Sequence, residues 1–172
     1  MFTNTSNSFW CALQVKARME QTTEQCLRTK GYETFVPTYE MTNSYKSIAV
    51  PLFPGYVFCR FDPNIRCPIV TTPGVLRVVG FGKHPALVCE TEIEAIRKIV
   101  QSPLPARPHE YLAAGQTVRL KQGPLYGVEG KIATFQNANR LIVSVTLLER
   151  SVSVEIDSEW IEPVLITGEL QQ

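Results

Sequence analysis

The sequence predicts an α+β protein in two parts: an N-terminal antiparallel sheet with helices packed on it, then a small closed β-barrel of the SH3-like kind. Three observations carry this. Strand-like and helix-like patterns intermingle as far as Ser102; residues 101–114 hold Pro103, Pro105 and Pro108 without any periodicity; and five short strand-like runs with no helix follow. The expected division is a first domain over 1–102, a semi-stiff linker over 103–113, and the barrel with a short tail over 114–172. A chain of 172 residues suits one medium domain or two small ones, and 44% apolar with 19% charged residues is ordinary for a globular protein.

Phe9–Val15 is a nearly continuous apolar run, the pattern of a strand covered on both faces. Residues 17–30 are good helix formers with Met19, Thr23, Cys26 and Leu27 as a thin inward stripe, and Gly31 is placed to end the helix. Residues 33–39 read as a strand interrupted by Pro37, and 41–47 as a polar hairpin tip. Residues 48–52 then re-enter the sheet, and Tyr56–Phe61 is its strongest strand. Pro68 sits at the first position of a short helix that ends at Thr72-Pro73-Gly74. Residues 75–81 form another strand, and Gly82-Lys83-His84-Pro85 turn the chain into a short strand at 86–88. Thr91-Glu92-Ile93-Glu94 is a capping-box sequence opening a helix with Ile93, Ile96, Ile99 and Val100 inward, stopped by Ser102-Pro103. Past the prolines, strands are expected at 117–121, 128–135, 140–148, 151–156 and 160–164, and a frayed tail at 168–172. Val152, Val154 and Ile156 alternate with Ser151, Ser153 and Glu155 as a half-buried strand should.

Net charge is +1, but residues 1–102 carry +3 and the remainder −2. Phosphate contact is therefore expected from the first half, and as a local patch rather than a blanket field. No apolar run is long enough to span a bilayer, and residues 1–8 lack a signal-peptide layout, so no membrane association is expected. The five cysteines are odd in number and scattered, with four in apolar surroundings and no C-x-x-C pair. Reduced thiols and a cytoplasmic location follow as the expectation.

Catalytic groups are scarce. His84 lies in a turn and His109 in the proline stretch, neither with metal-ligand spacing, and a Cys59–His84 dyad is less plausible than a buried structural thiol at Cys59. No phosphate-binding loop, nucleophile elbow or dinucleotide fingerprint occurs. The chain reads as a binding protein, not an enzyme, with no cofactor and no metal. Its central stretch is Val50-Pro51-Leu52-Phe53-Pro54-Gly55-Tyr56-Val57-Phe58-Cys59-Arg60-Phe61. With period two, Val57, Cys59 and Phe61 share one face and Tyr56, Phe58 and Arg60 the other. For any one of these aromatics core is the plainer reading, yet an arginine and a tyrosine hydroxyl in line with Phe58 suit a protein-binding face. The residues by themselves leave both readings open.

Trp10-Cys11-Ala12-Leu13 through Lys16, Leu52-Phe53-Pro54-Gly55-Tyr56-Val57-Phe58, Thr72-Pro73-Gly74-Val75 and Gly80-Phe81-Gly82 resemble the N-terminal domain of NusG-type transcription factors. Gly115-Gln116-Thr117-Val118-Arg119 and Gly123-Pro124-Leu125-Tyr126-Gly127-Val128-Glu129-Gly130 resemble the KOW motif that follows it there. The likeness covers about residues 9–165 and is strongest to the specialised paralogs, the RfaH and UpxY-like antiterminators. It implies a monomeric transcription elongation and antitermination factor that sets a hydrophobic cavity over the clamp helices of the largest RNA polymerase subunit. The clamp is thereby held closed, and pausing and termination are suppressed on a specific set of operons. By position Phe53, Tyr56, Phe58 and Phe81 would line the cavity, with Arg60 at its rim.

The specialised branch also implies contact with non-template DNA, at positions matching Lys16, Arg18, Thr29, Lys30 and Gly74 here. Cys26 and Pro73 depart from that pattern, and the branch's His-Thr-Thr element is missing around Arg66-Cys67-Pro68. Solvated cations are the plain alternative for Lys16, Arg18 and Lys30. The KOW barrel implies recruitment of a ribosomal protein or Rho. Gly123, Gly127 and Gly130 have a structural task first, giving positive φ or close backbone approach in the turns. Val143, Val145, Val152, Val154 and Ile156 favour a stable β form over a switch to helices. A rival reading, a KOW-type RNA- or ribosome-binding module of the translation apparatus, calls for a basic barrel, against which the −2 of the second half speaks.

Overall fold

Two neighbouring strands, β1 (Phe9–Val15) and β5 (Tyr56–Phe61), form the centre of the first sheet in the computed structural model, which describes residues 7–112 and 115–164. The expected tail at 168–172 lies outside the described residues. The chain divides into two units, Met1–Ile93 with Val145–Leu148 and Glu94–Ser144 with Glu149–Gln172.

In the first unit the antiparallel order is β2-β5-β1-β6, with β2 at Glu33–Phe35 and β6 at Val75–Val78. One face buries Cys11, Leu13 and Val15 of β1 with Val57, Cys59 and Phe61 of β5. Leu27 of α1 (Glu20–Thr29) and Ile69 of α2 (Cys67–Val70) complete that core. The other face is buried too, at Trp10, Ala12 and Phe58. Helix α1 starts later than its composition suggests because Arg18 takes φ 65°, which no right-handed helix accommodates. Its buried residues are Glu20, Thr23 and Leu27, so Glu20 takes the inward place expected of Met19. Gly31 N closes the helix on Arg28 O at 2.9 Å. Pro68 stands second in α2 after Arg66 at the cap and Cys67 at the first position.

Pro37 ends β2 as expected, since it has no N–H to give the ladder, while its carbonyl still accepts Leu52 N at 2.8 Å. Beyond it β3 (Thr38–Asn43) and β4 (Lys46–Pro51) make a ribbon of their own. Residues 48–52 therefore do not re-enter the main sheet; β4 pairs with β3 alone, and the hairpin tip shrinks to Ser44 and Tyr45. The strand expected over 75–81 breaks at Val79, whose N–H turns to Ala12 O. Gly80–Phe81 (β7) then pairs with His84–Pro85 (β8), and residues 86–88 keep only a single bridge, Leu87 to Cys11. Helix α3 (Glu90–Gln101) spans the boundary between the units and buries Ile93, Ile96 and Ile99; Val100 is half-buried.

The second unit is one sheet in the order β14-β10-β11-β12-β13-β9. These are β9 (Ala106–Glu110), β10 (Thr117–Leu120), β11 (Glu129–Phe135), β12 (Ala138–Val145), β13 (Arg150–Ile156) and β14 (Ile161–Pro163). Two expectations are corrected here. The proline stretch read as linker holds β9, and Pro108 is tolerated because β9 is an edge strand. The barrel is not closed among the described residues: β9 occupies the edge of β13, and β14 and β9 remain the two free edges. Val143, Val145, Val152, Val154 and Ile156 are buried as expected, but Ser151 and Ser153 are buried with them, and Ser151 Oγ shares a 2.7 Å hydrogen bond with Ser144 Oγ. None of the described helices is long and apolar enough to cross a membrane.

The three turn glycines divide by cause. Gly123 and Gly127 take φ 80° and 81°, and Gly127 N donates to Leu120 O at 2.7 Å to close the turn. Gly130 sits inside β11, where a Cβ would come within 2.6 Å of Ile142 O. Gly130→Ala is expected to force β11 from β12 and cost on the order of 2 kcal/mol in urea denaturation; an unchanged midpoint would show that the strands part freely.

Candidate functional site

Tyr56–Phe61 was the stretch with an ambiguous outward face, and burial resolves it. Phe58 faces Ala12 of β1 and Phe35 of β2 across the ladders, and it is 0% exposed. Its ring lies 6.3 Å from Phe35, tilted by 32°, and 5.6 Å from Phe53 in an edge-to-face contact at 83°. Phe53 is buried as well. The expected open ridge of Tyr56, Phe58 and Arg60 is thus corrected: Phe53 and Phe58 are packed floor, and only Tyr56 and Arg60 are partly exposed. Period two assigns side chains to faces, but it carries no information about what covers a face.

Arg60 owes its place in line with Phe58 to two carboxylates. Its Nη1 lies 2.9 Å from Glu90 Oε1 at the start of α3 and 3.8 Å from Glu33 Oε2 on β2, while its buried Nε has no hydrogen-bond partner. The guanidinium thus ties an edge strand to a helix start. Phe81 is the opposite case. It projects from the β7–β8 hairpin opposite His84 and is 80% exposed, with no ring contact to the buried aromatics.

The basic candidates separate in the same way. Lys16 and Arg18 are exposed in the turn between β1 and α1, and Lys16 N donates to Gly74 O at 2.9 Å, so Lys16 and Gly74 are adjacent. Gly74 has φ 91°, and a Cβ there would lie 2.2 Å from Thr23 Oγ1; the position is reserved for glycine by packing. Thr29 and Lys30 are at the far end of α1, roughly 15 Å away along a ten-residue helix. Thr29 Oγ1 donates to Gln25 O, and Lys30 Nζ donates to Pro68 O and Thr72 Oγ1, both at 2.8 Å. Lys30 fastens α1 to α2 and is not a free cation.

Glu20 escaped the reading of the sequence. It is buried, and its Oε1 accepts Gly55 N at 2.8 Å, pinning the turn before β5 to the first residue of α1. A glutamate in a helix's first turn is the available signal, since the helix N-terminus favours it; its burial depends on a partner 35 positions away.

None of the five cysteines is in a disulfide, and their settings are unequal. Cys11 and Cys59 face each other across β1 and β5, and burial pushes them up to about 11 and about 12. Cys26 is half-buried, and Cys67 and Cys89 are exposed, so fewer thiols sit in apolar surroundings than the four expected. Cys89 is held below the usual thiol range by a hydrogen bond with the Thr91 hydroxyl, 3.0 Å from its Sγ. Among the described residues no three His, Cys, Asp or Glu side chains gather as a metal site.

Residues 8–97 match the family profile described as Transcription termination factor nusG. The chain is 24% identical over 173 residues to the transcription termination/antitermination protein NusG of Helicobacter pylori, covering 91% of this chain and 98% of that one. Against the protein of the same description from Pseudomonas aeruginosa it is 30% identical over 141 residues, covering 77% and 80%. A solved structure of Thermotoga maritima NusG shares the fold with a TM-score of 0.58 at 16% identity, over 94% of this chain and 100% of that one.

The thiol environments make a direct prediction. In a brief iodoacetamide pulse near pH 8, Cys89 is expected to label first while Cys11 and Cys59 stay unlabelled until the chain unfolds. Early labelling of Cys59, read by peptide mass spectrometry, would contradict a closed β1–β5 core.

Proposed function

Since the chain belongs to the NusG family, we propose that it is a transcription termination/antitermination factor that binds RNA polymerase through its first unit. It acts without catalysis, resting on the clamp helices of the largest subunit and suppressing pausing and termination. We place it with the specialised RfaH and UpxY-like branch, serving a specific set of operons from the cytoplasm as a monomer. The observation that carries this reading is Phe81: a large aromatic held in the open on a short hairpin, while Phe53 and Phe58 are committed to the core. An exposed aromatic on a rigid support is what a protein partner's pocket selects. Tyr56 and Arg60 form the rest of the docking face, and Phe53 and Phe58 act beneath it by holding its shape.

Of the positions the resemblance implies for non-template DNA, Lys16, beside Gly74, and Arg18 are free to contact it, whereas Thr29 and Lys30 are engaged within the fold. Polymerase binding belongs to the first unit, and recruitment of a ribosomal protein or Rho to the second unit's sheet, of which β9 is part. The RNA-module alternative is disfavoured by the −2 charge beyond Ser102.

Phe81→Ser is expected to weaken binding to a purified RNA polymerase elongation complex by tenfold or more, with no change in melting temperature. Phe58→Ala is expected to cost about 3–5 kcal/mol of stability instead, as a core truncation. Undiminished binding by Phe81→Ser would remove the hairpin from the docking face.

A further inference from the structure

Four basic side chains of the first unit are engaged inside the fold. Arg28 pairs with Glu24, Lys30 with Pro68 O and Thr72, Arg60 with Glu90, and Arg77 Nε with Gln14 Oε1. Apart from Lys16, Arg18 and Lys46, the basic side chains of this unit without a hydrogen-bond or ion-pair partner among the described residues are Arg66, Lys83 and His84. The three converge on one open groove of about 520 Å³, whose walls include Phe9, Asn64 and Leu87. No carboxylate lines it among the described residues. Asp62, two residues before Asn64, is not part of the lining; its Oδ1 accepts Asn64 backbone N and Nδ2 at 2.9 and 3.0 Å.

Uncompensated cations in a concave site raise the local concentration of anions. Phe9 and Leu87 are both exposed, so the same groove has an apolar, partly aromatic wall. Cations that can follow a phosphate backbone beside an aromatic face that can stack a base are the two parts of a single-strand binding surface. We propose that this groove binds a single strand of nucleic acid, with Arg66 and Lys83 on phosphates and Phe9 against a base. An acidic peptide would use the cations but has no use for the Phe9 face. The groove is at the Phe9 end of β1, whereas Lys16 and Arg18 follow its Val15 end, a seven-residue strand or roughly 20 Å away. It is therefore separate from that basic turn.

The test uses the full chain, a fluorescein-labelled oligothymidylate and anisotropy over a range of salt concentrations, without polymerase. Failure here leaves polymerase docking untouched. Arg66→Gln with Lys83→Gln is expected to lower affinity roughly tenfold and flatten the salt slope by about 1.4, two phosphate contacts at about 0.7 each. Phe9→Ala is expected to lose about fivefold or more with the slope unchanged. Because Arg66 caps α2, Lys83→Gln alone, in an exposed turn, decides the matter should the double variant melt early. Unaltered affinity and slope would overturn the proposal. So would an equal loss in the charge-matched control Lys46→Gln with Lys121→Gln, or equally effective displacement of the oligonucleotide by polyglutamate.

Discussion

The ladder between β1 and β5, from Phe9↔Phe61 to Gln14↔Tyr56, is what the first unit is built on. β6 adds to one side of the pair and β2 to the other, so every strand of that sheet is registered against one of them. Because side chains alternate, one set of their residues joins Leu27 and Ile69, and the other set, Trp10, Ala12 and Phe58, is buried on the reverse face. A sheet that spends both faces on its own stability leaves recognition to what projects from its ends. The β7–β8 hairpin with Phe81, the turn at Lys16 and Arg18, and the groove at Arg66 all occupy such positions, held by a scaffold that does not need them.

Local features of this fold were legible because their causes are local. Phe9–Val15 and Tyr56–Phe61 are strands, Pro37 interrupts one, and Ile93, Ile96 and Ile99 mark the buried side of α3. What escaped depends on contacts between distant residues. Arg60 suggested an exposed face because an arginine in a buried row is costly, but Glu33 and Glu90, both far away in sequence, offset that cost. Pro108 suggested a linker because proline leaves ladders incomplete, but an edge strand has one side that needs no donor. The same strand explains the missing closure, since the β13 edge it covers is the one a barrel seam would use.

The candidate site was half legible for the same reason. Residue type and the family likeness pointed to Phe53, Tyr56, Phe58, Arg60 and Phe81 together, while the fold divides them into buried support and exposed contact. Charge behaves alike. Lys16, Arg18 and Lys30 are equivalent in the sequence, yet Lys30 is consumed by the end of α2 and the other two are left in a turn. Arg66, Lys83 and His84 are scattered over the β5–α2 and β7–β8 turns and meet only once the sheet has brought those turns to one end. No period or motif could have grouped them.

The central claim, that this chain acts on transcribing RNA polymerase, is tested most directly by single-round transcription with purified polymerase on a template carrying a pause and an intrinsic terminator. Added protein is expected to shorten the pause and raise read-through, in proportion to its occupancy of the elongation complex. Pause lifetime and read-through that stay constant at saturating protein would contradict the account.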